Sequence, residues 1–399
     1  MLGWELPPHN SGGLGVACYY MSRALASQGA NIDFMVPYEA DHSEITFMDV
    51  IPTTKLSPLT VHAGAYDGRC MKCLDDADCS HEPAEGIRSL QAQYKKKVAR
   101  HVKSNIPDVI HAHDWLTFEA GIEAKQLTGK PLIAHVHATE FDRAGGTNGN
   151  PLIHEIEQHG LMMADRILAV SAATKRLIVE KYHIPADKVE VVHNSIEASD
   201  FERGQYHPDE YLYVESLKRE GYTVVATLGR LTVQKGLYQF LEGAAKATTR
   251  YDKFLFVIAG AGEQRNELIA LSADLGIADR VLFTGFVRGK QLRDVYELAD
   301  VFVMSSVSEP FGLTVLEAIA HDSATVITKQ SGVGEIVSHA MKYDYWDTDK
   351  LADILINLAT EQSLADTLIT NAREQFNQMS WATVAERCNR QYQLAGAIS

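Results

Sequence analysis

No stretch of this sequence stays apolar for anything near the roughly 20 residues a membrane-crossing helix needs. The longest candidates, such as Phe254–Ala261, have the length of buried strands. Basic residues are in deficit: 37 Lys and Arg against 52 Asp and Glu give a formal charge of −15 at pH 7. A surface that negative repels phosphate backbones and anionic lipid, which argues against nucleic-acid or membrane binding as the main function. Cysteines number five, an odd count in 399 residues, so they make no disulfide framework. The opening MLGWELPPHN has no basic segment followed by an apolar one and does not read as a secretory leader. Long low-complexity runs and internal repeats are missing as well. What remains is ordinary globular composition, 46% hydrophobic and 22% charged, of a length that suits two domains. The expectation is a soluble, cytoplasmic, two-domain protein.

Short apolar runs alternate with amphipathic stretches of helical length. Ile32–Val36, Val109–His113, Leu132–His137, Arg166–Val170 and Val189–Val192 form one series. Val224–Leu228, Phe254–Ala259, Val281–Thr284, Val301–Met304 and Ala324–Thr328 form a second. That rhythm predicts βαβ units, hence an α/β chain with two parallel sheets covered by helices. Met1–Trp4 reads as the last half of a first strand, so that the start would lack a few residues. The polar stretch Ala198–Tyr222 separates the series, placing the boundary near residue 198. The domains expected are 1–197, 198–379 and a terminal helix, 380–399. Open α/β sheets bind ligands beyond the carboxyl ends of their strands, so the chemistry is expected in the loops that follow strands.

Two such loops stand out. Ser308-Glu309-Pro310-Phe311-Gly312-Leu313-Thr314 follows the strand Val301–Met304 and runs into a helix that carries Glu317. A helix N-terminus offers unpaired N–H groups and the positive end of a dipole, a seat for a diphosphate. Leu228–Leu237 follows the strand Val224–Leu228 and holds Arg230 and Lys235, two cations for a departing diphosphate, with Gly236 at the helix entry. Taken singly, each residue has a plain reading too. Glu309 would be a loop acid, Glu317 a solvated helix residue, and the two cations solvated surface groups.

Together the pair GRLTVQKG and SEPFGLTVLEA resembles the nucleotide-sugar site of the retaining glycosyltransferases of family 4 (group 1). The glycogen- and starch-synthase-like members are the nearest in pattern. Further resemblances lie in Ser11-Gly12-Gly13-Leu14-Gly15, in His111–Trp115, in Gln330–Glu335 and in Ser380-Trp381. The resemblance implies the GT-B fold, two Rossmann-like domains facing across a cleft. It implies a catalytic set of His137, Glu309, Arg230 and Lys235. Arg230 and Lys235 would hold the diphosphate, with Gly12 and Gly13 admitting backbone amides to it. Gly312, Leu313 and Thr314 would complete the donor seat, Glu317 would take the ribose hydroxyls, and Glu309 and His137 would contact the transferred sugar. One departure matters: the lysine of the bacterial glycogen synthases' glycine loop is Asn10 here, against an ADP-glucose-dependent polymerase. The implied reaction moves a hexose, glucose in the first instance, from a UDP- or ADP-sugar to a hydroxyl acceptor such as an α-glucan. It needs no cofactor and no metal, because protein cations neutralise the leaving group.

Other patterns carry less. Cys70, Cys73, Cys79 and His81 have the ligand types for a structural zinc, though not a common spacing; reduced surface cysteines are the alternative. Asp76-Ala77-Asp78 and Asp347-Thr348-Asp349 match a metal-nucleotide D-x-D element by chance composition. Gly260-Ala261-Gly262 lacks a third glycine, with Arg265 in its place, and reads as a nucleotide-side loop. Lys95, Lys96, Lys97, Arg100 and Lys103 gather on one helix with only Val98 and Val102 as apolar anchors, a solvated face rather than a membrane dock. Competing functions are a sugar-nucleotide 2-epimerase of the same fold, a non-catalytic nucleotide-sugar-binding protein, a dehydrogenase and a pyridoxal-dependent phosphorylase. The epimerase's motifs are missing, the first domain lacks Gly-x-Gly-x-x-Gly, and no visible chromophore would dismiss the phosphorylase cheaply.

Overall fold

A computed structural model describes residues 1–9, 12–57, 83–197 and 211–397. Cys70, Cys73, Cys79, His81, Asp76, Asp78, Asn10, Ser11 and the boundary near 198 lie outside the described residues. The chain divides into two compact units. Unit 1 is Met1–Glu140, Asn148–Ser195 and Trp381–Ser399; unit 2 is Phe141–Thr147 and Ile196–Ser380.

The sheet of unit 1 contains β1 (Asp33–Val36), β2 (Asp49–Pro52), β3 (Ile110–His113), β4 (Leu132–Val136), β5 (Arg166–Ala169) and β6 (Val189–Val191). β3 to β6 pair in parallel in sequence order, and β1 pairs in parallel with β2. Leu2 bridges Met35 of β1 and Ala112 of β3, so the chain start sits between the two sets of strands, as the reading of Met1–Trp4 as strand required. β2 is short and exposed at both ends, which is why it leaves no apolar signature. β3 and β4 are buried at every position, the mark of a parallel strand covered on both faces. The helix Trp381–Leu394 belongs to this unit: Trp381 stacks on Tyr20 of the helix Gly13–Ser27, ring centroids 5.9 Å apart.

Unit 2 holds β7 (Thr223–Leu228), β8 (Phe254–Ala259), β9 (Val281–Gly285), β10 (Val301–Met304), β11 (Ala324–Thr328) and β12 (Met341–Tyr343). They form one parallel sheet in the order β12-β11-β10-β7-β8-β9. The chain winds outward from β7 in one direction, then returns to β10 and winds in the other, so the topological switch lies between β7 and β10. The helix Leu237–Thr248 shows how the pattern produces the packing. Leu237, Phe240, Leu241, Ala244 and Ala247 recur at helical spacing, and all are buried with Phe254, Phe256 and Ile258 of β8 in one core.

Several sequence expectations gain a physical reason here. Val98 and Val102, the two valines of the lysine-rich helix Pro83–Ser104, are buried inside unit 1. Asp347 caps the helix Thr348–Thr360 by accepting from Lys350 N at 2.9 Å, and Asp349 pairs with Lys246 at 2.8 Å. That D-x-D is a helix start. Gly260 and Gly262 are glycines because the backbone after β7 lies against them; a Cβ on Gly260 would stand 1.8 Å from Gly229 O. Among the described residues no helix is long and apolar enough to cross a membrane.

Candidate functional site

In unit 2 the loops after β7, β10 and β11 are tied into one platform. After β7 the chain turns through Gly229–Thr232 and the short 3-10 turn Val233–Lys235 to Gly236, whose φ of 62° opens the helix Leu237–Thr248. A Cβ at Gly236 would meet Ser305 O at 2.2 Å, so only glycine allows the β7 loop to close on the end of β10. Val307 N donates to Gln234 O at 2.8 Å, Gln234 Nε2 donates to Ser308 O at 3.0 Å, and Ser305 Oγ donates to Lys235 O at 2.8 Å. The β11 loop joins through Glu309 N to Gln330 O (3.2 Å) and Gly332 N to Glu309 O (2.9 Å).

This clamp fixes side chains as well as backbone. Lys235 Nζ lies 2.5 Å from Glu309 Oε2, and Ser306 Oγ donates to the same oxygen at 2.9 Å. A shallow depression over the C-terminal ends of β7, β8 and β10 is lined by Gly229, Arg230, Lys235, Met304, Ser306 and Thr314, among others. It lies at the topological switch. Gly312, in a left-handed conformation with φ 108°, is the N-cap of the helix Leu313–Ala320. Glu317 sits farther along that helix, half-buried, and accepts from Tyr296 Oη at 2.6 Å. Burial pushes the Glu317 carboxyl above the usual carboxylate range, and the tyrosine hydrogen bond pulls it back. It is not a solvated helix residue.

Of the residues singled out in the sequence, unit 2 therefore brings together Arg230, Lys235, Glu309 and Thr314, with Gly312 and Leu313 at the adjoining helix entry and Glu317 within that helix. Gly12, Gly13 and His137 belong to unit 1. Gly12 and Gly13 are exposed at the start of the helix Gly13–Ser27. Gly12 N donates to Glu5 Oε2 at 3.0 Å and Gly15 N to the same oxygen at 3.4 Å. A side chain at position 12 would strike that oxygen at 2.8 Å. A buried carboxylate of the chain itself thus takes the Gly12 amide, one of those expected at a diphosphate.

His137 follows β4 and belongs to a group that sequence reasoning missed. Two H-x-H patterns on adjacent parallel strands put His111, His113, His135 and His137 on one face. His111 Nδ1 is 2.7 Å from Tyr392 Oη, His111 Nε2 is 3.2 Å from His135 Nδ1, and His113 Nδ1 is 3.1 Å from His137 Nε2. Burial lowers the pKa of His137 to about 3 and holds the other three well below the ordinary histidine value, so all four imidazoles are neutral at pH 7. Nε2 of His113 and Nε2 of His135 are buried without a hydrogen-bond partner. Each such atom costs about 1–3 kcal/mol. Also missed were Ser306, Tyr296 and Glu5. The signal for the histidines was visible as the doubled H-x-H; nothing in the sequence marks Tyr296.

Comparison with known proteins completes the description. The model of "Glycosyl transferases group 1" matches residues 212–375, and that of "Glycosyltransferase Family 4" matches residues 11–200. An uncharacterised glycosyltransferase of Methanocaldococcus jannaschii is 27% identical over 99% of this chain and 97% of its own length. A glycogen synthase of Mycobacterium tuberculosis is also 27% identical, over 96% of this chain and 92% of its own. Among solved structures, the Anabaena protein HepE in complex with UDP and glucose superposes with a TM-score of 0.71 at 16% identity, covering 98% of each chain. The fold is GT-B. The two family models lie end to end along the two units, and the chain belongs to the group 1 glycosyltransferases of family 4.

Proposed function

We propose that this enzyme is a retaining hexosyltransferase that moves glucose from UDP- or ADP-glucose to a hydroxyl acceptor, an α-glucan in the first instance. The observation that carries the reading is the Lys235–Glu309–Ser306 constellation beside Arg230 and the Leu313–Ala320 helix start, at the switch point of the unit 2 sheet. HepE, solved with UDP and glucose, and the mycobacterial glycogen synthase support the donor class.

In this reading Arg230 and Lys235 bind the diphosphate and neutralise the charge that grows as it leaves. Gly312, Leu313 and Thr314 present the helix N-terminus to the same phosphates. Glu317 accepts from the ribose hydroxyls, held in place by Tyr296. Glu309 accepts from sugar hydroxyls and stabilises positive charge at the anomeric carbon. His137, neutral, hydrogen-bonds the transferred sugar, and Gly12 and Gly13, which carry no side chains, leave the phosphates room at that helix start while the Gly12 amide stays on Glu5. The acceptor hydroxyl attacks from the face the diphosphate leaves, and its proton passes to the departing phosphate oxygen, which retains configuration. The protein cations replace a metal in this role. The domain limits proposed remain 1–197, 198–379 and 380–399.

The test is a donor screen read by release of nucleoside diphosphate, with soluble glucan and simple sugars as acceptors, followed by anomeric analysis of the product. Acceptor-dependent UDP or ADP release with an α-linked glucosyl product supports the reading. Inverted product, or epimerisation of the free donor without transfer, overturns it.

A further inference from the structure

The histidine face of unit 1 carries more ligand chemistry than sugar transfer uses. Cys18, on the helix Gly13–Ser27, packs over the ends of β3 and β4, and its Sγ and one ring nitrogen each of His113 and His137 lie within 4.8 Å of one another. We propose that Cys18, His113 and His137 form a structural binding site for a thiophilic divalent cation of the zinc class. This goes beyond the proposed transfer reaction and does not depend on it.

Two observations converge. First, ligand atoms around tetrahedral zinc, at bond lengths of about 2.0–2.3 Å, stand roughly 3.4–3.8 Å apart, so the three groups need to close by about 1 Å. His113 and His137 already approach to 3.1 Å between ring nitrogens. Second, the buried carboxylate of Asp114 accepts from the backbone N–H of His137 at 2.7 Å through Oδ1, and it offers the negative charge that a cation bound there would meet. One thiolate and two imidazoles form a soft donor set that suits zinc or cobalt and leaves a fourth position for water. On binding, Cys18 loses its thiol proton to solvent, each imidazole gives a lone pair and keeps its N–H on the other nitrogen, and no electron is exchanged.

The test uses the full chain without a histidine tag, produced in cobalt-supplemented medium so that burial does not limit access. Cys70, Cys73 and Cys79 are changed to Ser to remove competing thiolates. The expected result is about one cobalt per chain, with intense visible d–d bands and a thiolate-to-cobalt charge-transfer band in the near ultraviolet. Cys18→Ser should abolish that band, and both Cys18→Ser and His113→Gln should lower bound metal at least about tenfold. Cobalt below about a tenth of an equivalent in the parent chain, or an unchanged charge-transfer band in Cys18→Ser, overturns the site. Should Cys18→Ser fail to fold, X-ray absorption of the zinc-loaded parent decides. One sulfur with two imidazoles supports the site, and a shell of nitrogen and oxygen alone refutes it. Metal content reads this site and donor kinetics read the sugar contact of His137, so the two assignments fail independently.

Discussion

Removing the Lys235 ammonium is the most discriminating perturbation of the unit 2 platform. Its Nζ stands 2.5 Å from Glu309 Oε2, with the two side chains 23% and 11% exposed. An exposed ion pair is worth about 0–1 kcal/mol, but this one is mostly shielded from solvent. In Lys235→Ala, Glu309 keeps Ser306 Oγ at 2.9 Å as its remaining side-chain hydrogen-bond donor among the described residues. Leaving the carboxylate with one donor should cost about 1–3 kcal/mol of unfolding free energy. The kinetic cost has a different origin, because in the proposed reaction the ammonium also meets charge that develops on the departing diphosphate. A hundredfold fall in kcat corresponds to about 2.7 kcal/mol of transition-state stabilisation, the size of one or two charge-assisted hydrogen bonds. The expected outcome is therefore a fall in kcat of at least about a hundredfold with a smaller change in donor KM. The double variant Lys235→Ala/Glu309→Gln separates the two effects. Neutralising position 309 should restore most of the lost stability in a urea titration and none of the turnover. Diphosphate release at saturating donor, beside the unfolding curve of each variant, is the assay. If Lys235→Ala loses stability but keeps kcat within about fivefold of the native chain, the lysine only props the loops together and the mechanism above is wrong.

The other expectations are briefer. Arg230→Ala should lower kcat by about a hundredfold while leaving the unfolding midpoint nearly unchanged, since Arg230 is exposed at the rim of the depression; native-like turnover removes it from the site. Transfer should persist in excess EDTA added at assay, and complete loss rescued by magnesium or manganese would refute charge neutralisation by protein cations alone. Glu317→Gln should weaken donor binding about tenfold, and a 2′-deoxyribose donor should be penalised in the native enzyme far more than in the variant; equal use of both donors by the native enzyme would dismiss a ribose contact. Because the Tyr296 hydroxyl pulls the raised pKa of Glu317 down, Tyr296→Phe should raise it further. The carboxylate is then lost at higher pH, so the rise in donor KM on acidification should begin at higher pH in the variant, and an unshifted profile would refute the coupling.

How much of this was legible depends on how far each feature is encoded locally. The ten apolar runs read as strands all lie on strands, within a residue or two; most are parallel strands buried on both faces, which need continuous apolar sequence, and the half-buried edge strands β6 and β9 keep apolar runs as well. β2 and β12 escaped because their exposed positions carry Asp49, Pro52 and Lys342, which leave no apolar run, and nothing in Asp49–Pro52 or Met341–Tyr343 separates them from a loop. The helix entry at Gly312 was legible from the glycine and the apolar run after it. Tyr296 was not, because it comes from a different helix and reaches Glu317 only through the packing of that helix beside Leu313–Ala320. The same distinction separates His137, reached by motif resemblance, from His111, His113 and His135, whose significance is collective.

The glycines show most clearly why motif and geometry are one statement in unit 2. Gly229, Gly236, Gly260 and Gly312 have positive φ, and at 236 and 260 the obstacle to any side chain is a neighbouring carbonyl rather than open space for a ligand. The glycine pattern that resembles a nucleotide-binding signature is thus first a device for packing strand-end loops backbone against backbone. Only after that packing do Lys235 and Glu309, 74 residues apart in sequence, come within hydrogen-bond reach. Gly236→Ala should accordingly damage the site without touching a functional side chain. The added methyl would meet Ser305 O at 2.2 Å, in a conformation with φ 62° that alanine resists, so the β7 loop must move off β10 and separate the ion pair. Loss of stability by about 1–3 kcal/mol is expected, with loss of turnover resembling that of Lys235→Ala. If Gly236→Ala keeps native turnover, the clamp between the two loops is not what positions the lysine.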